Sequence, residues 1–245
     1  MDSIFIVSRT SAAIPIWFVT AANYREMRER LDANERAYAD AAGYQPKPGH
    51  TLILPGASGL GDILFGLEGA DEPKDLFLPG RLAQQLPAGI YRFANEPHDT
   101  RLAALSLALG VYRFTRYRKA ERCEFQLDLP QSLDRAELDR IVEAVTLARD
   151  LINTPANDMG PAELDDAARS LAARYGAAVR SVVGDELVKE NLPLIHAVGR
   201  AAERAPRLID LTCGDADRPR VTLVGKGVSS IQAASTSSPS RRCST

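Results

Sequence analysis

Cysteine is scarce in this chain of 245 residues: Cys123, Cys213 and Cys243 are widely spaced and odd in number. That argues against a disulfide framework, and no CxxC pair offers a zinc or redox site. Histidine is equally sparse, with His50, His98 and His196 far apart and no HExxH pair, so a histidine-based metal site is not expected. No GxSxG elbow anchors a serine hydrolase. Charge of one sign is missing too, since 30 basic residues face 32 acidic ones and leave a net charge of −2. Such balance gives no electrostatic footprint for nucleic acid. Long hydrophobic runs are also lacking. The apolar stretch near the N-terminus is broken by Ser8, Arg9, Thr10 and Ser11 and has no basic segment before it, so it reads as neither signal peptide nor membrane span. The expected compartment is the cytoplasm, with no membrane or nucleic-acid partner.

What is present is an alternation of strand-like and helix-like segments. Apolar strands are expected at Ile14–Val19 and Thr51–Leu54, with a charged helix over Asn23–Ala42 between them. The glycine-rich stretch Pro55–Gly61 reads as a tight turn from strand to helix, because its spacing is not GxGxxG and no Gly-Lys-Ser/Thr follows. Thr100–Gly110 is a small apolar helix closed by glycine. The aromatic and basic run Val111–Lys119 after it reads as a solvated face, with stacking on nucleic acid as the less favoured use. Pro130 marks a domain boundary.

Leu138, Ile141, Val142, Val145 and Ala148 recur at helical spacing behind an Asp134/Glu137 capping pair, which predicts a linker helix. A loop with two prolines and a glycine then leads to a helix starting at Pro161. Leu164, Ala167, Ala168, Leu171 and Ala172 form its buried face, it ends near Gly176, and Asp165 and Asp166 fall on its solvated side. Further expectations are a strand at Ala178–Val183, a short helix near Glu186, and strands at Ile195–Val198, Leu208–Leu211 and Val221–Val224. Together they predict a parallel sheet from about residue 150. His196 would then be a satisfied core residue, and Lys226 would sit between two glycines at the C-terminal end of a strand, where open α/β sheets place ligands.

Three segments are distinctive: RDLINTPANDMGPAEL at 149–164, HAVGRAAERAPRLIDL at 196–211 and VTLVGKGV at 221–228. In wording and spacing they resemble the leucine aminopeptidase (cytosol aminopeptidase) family, and the first half is similar to the variable N-terminal domain of bacterial members. The resemblance implies an α/β protein: an N-terminal α/β domain over 1–130, a linker helix over 131–152 and the first part of an α/β aminopeptidase catalytic domain over 153–228. It further implies a metalloexopeptidase that releases N-terminal amino acids from peptides with two divalent metal ions, manganese or zinc, and that assembles as a homo-hexamer. The lysine of VGKGV is a metal ligand in that family, which falls here on Lys226.

The family motif continues as Phe-Asp-Thr/Ser-Gly-Gly, with a metal-binding aspartate five residues past the lysine. Here position 231 is Ile231, and the stretch Ser229–Thr245 carries seven serines and no acidic residue. That composition cannot bury a core. With suitable synonymous codons, a one-base shift of frame from codon 229 reads Phe-Asp-Thr-Gly-Gly-Leu-Asp-Leu-Lys-Pro. The expectation is therefore a chain truncated or frameshifted after Val228, with an off-pattern tail, an incomplete metal site, no catalytic lysine, and an uncovered apolar edge near Val221–Val224. The alternative is a non-catalytic binding or assembly module built on the N-terminal α/β domain.

Overall fold

The computed structural model describes residues 3–7, 13–56, 59–118, 124–215 and 217–227. Lys119, Cys123, Cys243, Val228 and the serine-rich stretch from Ser229 lie outside the described residues, as do Ala57 and Ser58 of the glycine-rich turn. The chain divides into two compact units that meet between Asp150 and Leu151.

The first unit is built on strands β1 (Phe5–Ile6), β2 (Ile14–Val19), β3 (Thr51–Gly56), β4 (Gly59–Gly66), β5 (Gly89–Phe93) and β6 (Phe125–Asp128). They form one six-stranded sheet in the order β1-β6-β5-β2-β4-β3. Every neighbouring pair is parallel except β3 with β4 at one edge. The helices are α1 (Tyr24–Arg30), α2 (Ala33–Ala41), α3 (Leu82–Gln85), α4 (Thr100–Val111) and α5 (Arg135–Asn153), with a 3-10 turn at Leu78–Arg81.

Side chains alternate across a strand, so a parallel sheet with helices on both sides has two cores. On β2, Ile16 and Phe18 join the larger cluster with Ile63, Phe65, Tyr91, Leu107 and Leu127, while Val19 joins the smaller one with Met27, Leu31, Tyr44 and Leu64. Leu138 of α5 is buried in the larger cluster, and Ile141 and Val142 pack on it, so the first part of the expected stripe is used, while Ala148 is exposed. Asp134 accepts at 2.9 Å from Ala136 N and 3.2 Å from Glu137 N, but the Glu137 carboxylate turns away to Arg101 at 2.5 Å.

Two expectations for this unit need correction. The charged helix splits at Leu31, whose extended backbone precedes a capping box in which Asp32 accepts from Glu35 N at 2.8 Å and Glu35 accepts from Asp32 N at 2.9 Å. That reciprocal pair starts a new helix, so the one expected helix becomes α1 and α2. The glycine-rich turn leads not to a helix but to a hairpin, with Gly56 opposite Gly59 and Pro55 on the edge strand where a missing N–H is harmless. Gly59 has φ +148°, a backbone region that side chains rarely enter.

The second unit holds α6 (Pro161–Tyr175), β7 (Ala178–Val183), α7 (Glu186–Lys189), α8 (Pro193–Gly199) and β8 (Arg207–Thr212). Pro161 opens α6 at its first turn, and Gly176, with φ +66°, closes it in the left-handed conformation that favours glycine. β7 and β8 pair antiparallel, with Ala178 opposite Thr212 and Val183 opposite Arg207, so the parallel sheet expected here is not formed among the described residues. The strand expected at Ile195–Val198 is instead α8: Pro193 supplies the first helical position, and a proline fixes φ near the helical value. The strand expected at Val221–Val224 has no ladder, and the segment is exposed throughout.

Candidate functional site

The best-organised polar arrangement in the second unit begins at the loop before α6. Glu163, in the first turn, accepts from Gly160 N at 2.9 Å. Hydrogen bonds from its own amide and from that of Gly160 hold its carboxyl below the usual range, with Arg204 and Arg207 adding to the effect. Arg204 reaches back over the loop. Its guanidinium donates to Asn157 O at 2.5 Å, to Ala156 O at 3.4 Å and to Glu163 Oε2 at 3.3 Å. The loop is thus tied to the helix it introduces.

One turn further, Asp165 is only 3% exposed, which corrects the expectation that it lies on a solvated face. Its Oδ1 accepts from Ser181 Oγ of β7 at 2.7 Å, and its Oδ2 takes Arg207 Nη1 of β8 at 2.8 Å. Arg169, one helical turn on, stands at 3.1 Å. Burial works to raise the Asp165 carboxyl, but the hydrogen bonds from Ser181 and Arg207 and the two guanidinium charges outweigh it and hold it below the usual carboxylate range. Asp166 is exposed, as expected. The overlooked signal was spacing: Asp165 stands three residues from Ala168 and seven from the buried Ala172, which puts it on the inner stripe despite its charge. The cluster cross-links α6, β7 and β8, and its anion is fully engaged. It therefore serves packing.

The residues singled out in the sequence are scattered. Lys226 is exposed within 221–227, a segment with no regular structure, and a Cβ added at neighbouring Gly227 would come only to 4.0 Å of Leu164 Cδ2. His196 is on α8 with Nε2 at 3.2 Å from Asp185, not in a core strand. His50 stacks on Tyr44 at 5.1 Å between ring centres, and His98 lies 3.5 Å from the buried Glu68. Of the cysteines only Cys213 is described, as an exposed free thiol.

The aromatic and basic run after α4 is mostly solvated, as expected, with Arg113, Arg116, Tyr117 and Arg118 exposed. Tyr112 donates to Asp150 at 2.7 Å, Arg113 donates to Gly110 O and Tyr112 O, and Phe114 meets Tyr117 edge-on.

A pair of divalent cations repels itself and requires several carboxylates around it. Among the described residues no group of three or more His, Cys, Asp or Glu side chains is placed to hold a metal ion. A lone exposed amine at Lys226 does not fit such a centre, and no catalytic step can be derived through it. Nor is any helix among the described residues long and apolar enough to cross a membrane.

The class is then defined by the order of parts: a parallel-sheet α/β unit, a long helix and the opening of a second α/β unit that ends in a glycine-flanked lysine. A family profile described as "M17 aminopeptidase, N-terminal domain" matches residues 14–130, and one described as "Cytosol aminopeptidase family, catalytic domain" matches residues 146–229. The chain belongs to the M17 cytosol aminopeptidase family.

Among its relatives, the probable cytosol aminopeptidase of Rhodococcus opacus (strain B4) is 34% identical over 147 residues, covering 53% of this chain and 29% of the relative. That of Corynebacterium efficiens is 31% identical over 206 residues, covering 77% and 41% respectively. The crystal structure of cytosol aminopeptidase from Coxiella burnetii superposes with a TM-score of 0.79 at 32% identity, covering 88% of this chain and 47% of that one. The bottromycin maturation enzyme BotP in complex with Mn shares the fold alone, at a TM-score of 0.68 and 23% identity. This chain thus spans less than half the length of these relatives.

Proposed function

We propose that these residues form the N-terminal domain and the opening of the catalytic domain of a metalloexopeptidase that releases N-terminal amino acids from peptides, and that the 245-residue chain does not perform this reaction by itself. The carrying observation is the isolation of Lys226. In this reading it is the first ligand of a two-metal centre, yet it is exposed, no group of three or more candidate ligands is placed to hold a metal ion among the described residues, and no acidic residue follows it in the sequence. The complete centre, holding manganese or zinc, would supply Lewis-acid polarisation of the scissile carbonyl and a water made acidic enough to attack. Nothing in this chain beyond Lys226 is assigned to it.

On the same reading the working enzyme is a cytoplasmic homo-hexamer acting on peptides, and residues 1–130 and 153–228 correspond to its two domains. The test is direct: purified chain, an aminoacyl p-nitroanilide, and millimolar manganese or zinc. The expected result is no metal-dependent release above the blank. Clear turnover that a chelator abolishes overturns the proposal.

A further inference from the structure

Among the described residues, three buried side-chain atoms have no hydrogen-bond partner: Glu68 Oε2, His98 Nε2 and Arg207 Nε. Arg207 belongs to the Asp165 cluster of the second unit. The other two face each other in the first unit, with Nε2 3.5 Å from Oε2. The Glu68 side chain is 9% exposed and that of His98 17%.

Their place in the sheet brings them together. Glu68 lies just past the end of β4, and His98 lies in the loop between β5 and α4. β4 and β5 flank β2 and both run parallel to it, so the two loops leave the same, carboxyl end of the sheet. There the chain leaves β2 toward β3 and leaves β5 toward β6, in opposite directions across the sheet. Open α/β sheets collect ligands at such a point. The amide of Asp75 donates to Glu68 Oε1 at 3.3 Å, which orients the carboxylate and leaves Oε2 for another partner.

A buried carboxylate oxygen and a buried imidazole nitrogen are each costly without a partner. At 3.5 Å, with no N–H directed at Oε2, these two do not satisfy one another. A cation bound by both does. Zinc takes histidine nitrogen and carboxylate oxygen at about 2.1 Å, and with those lengths the 3.5 Å span sets an angle of about 115° at the metal. That is near the tetrahedral value of about 109°, whereas neighbouring ligands of an octahedral magnesium ion would stand about 3 Å apart. An imidazole ligand also favours zinc over magnesium or calcium, which take oxygen. The Asp75 amide supplies the outer hydrogen bond that a ligating carboxylate carries, and the exposed part of His98 gives the ion a way in.

We propose that Glu68 Oε2 and His98 Nε2 bind a four-coordinate zinc ion in the first unit, with water in its other two positions. The site uses no residue of the second unit and does not depend on the family reading.

The experiment titrates cobalt(II), a coloured stand-in for zinc, into the untagged full chain carrying C123S, C213S and C243S, so that thiols contribute nothing. The expected result is one equivalent bound with the strong visible absorption of a four-coordinate ion, bleached when zinc displaces it. H98Q and E68Q are each expected to weaken binding at least tenfold, while H50Q, H196Q and K226A leave it unchanged. Zinc should also raise the urea midpoint followed by Trp17 fluorescence in the parent chain and not in H98Q, a comparison that exposes any variant that has simply unfolded. The proposal is overturned if no cobalt binds, if only the faint bands of a six-coordinate ion appear, or if neither E68Q nor H98Q weakens binding. Loss of binding in K226A alone would place the ion elsewhere and equally overturn it. Every readout is of binding, so hydrolysis or its absence leaves the result standing.

Discussion

Replacing Asp165 with asparagine tests what holds the second unit together. The side chain keeps its size and one carbonyl oxygen, so the 2.7 Å contact from Ser181 can persist, but the charge opposite Arg207 and Arg169 is lost. Removing one member of a buried ion pair costs about 3–5 kcal/mol, because the surviving charge is stranded. Arg207 retains 17% side-chain exposure and Arg169 is half exposed, so water screens part of that loss and the lower end applies. About 3 kcal/mol corresponds to roughly 150-fold faster opening-limited exchange. The assay is hydrogen exchange of the β7 and β8 amides, compared between wild type and D165N. Because the native carboxyl is held below its ordinary value, its contribution is complete above about pH 4 and is lost as pH falls through the lowered native value. The difference between the two proteins therefore narrows only in acid. Unchanged exchange in D165N at neutral pH would refute the assignment of Asp165 as the bond between α6, β7 and β8.

In the first unit, a Cβ at Gly66 would stand 2.1 Å from Lys47 O, so G66A must push the β4 end away from the Lys47 turn. The expected cost is about 3 kcal/mol. Trp17, the only tryptophan, sits opposite Leu64 on β4, and its fluorescence should show the urea midpoint falling by roughly 1–2 M; an unmoved midpoint counts against the close approach. At the gene, sequencing across codons 220–245 and beyond is expected to show the family motif continuing in the neighbouring frame. A coding sequence without that frame makes the serine-rich stretch genuine.

Much of the fold was legible because it depends on local period. The apolar run Ile14–Val19, the stripe from Leu138 to Ala148 and the Pro161-to-Gly176 frame of α6 each carry their own signal. What failed depended on a competing local device or on a distant partner. Asp32 and Glu35 split a continuous charged pattern by capping, and the apolar stretch Ile195–Val198 read as a strand although Pro193 starts a helix there. The direction of β8 against β7 is set by pairing, which no run of residues encodes. Asp165 was missed because a carboxylate reads as solvated until its partners are seen, and these are the Ser181 hydroxyl sixteen residues on, Arg207 forty-two residues on, and Arg169 on the next turn. Of the candidate site, Lys226 and its glycines were legible, and the absence of acidic residues after it in the sequence was equally visible.

The order of stabilities follows from the same contrast. A mostly parallel sheet needs cover on both faces, and the first unit has it, with Phe18 and Phe65 on one side and Val19 and Leu64 on the other. A two-stranded ribbon is marginal in water on its own. β7 and β8 rest mainly on α6, with α7 and α8 beside them, three small or medium buried apolar side chains and a charge cluster, while the β-forming segment 221–224 stays in solvent. Polar contacts give geometry but little net free energy, since water competes for each of them. Leu194, Val198, Leu223 and Val224 remain exposed and add no apolar burial to this unit.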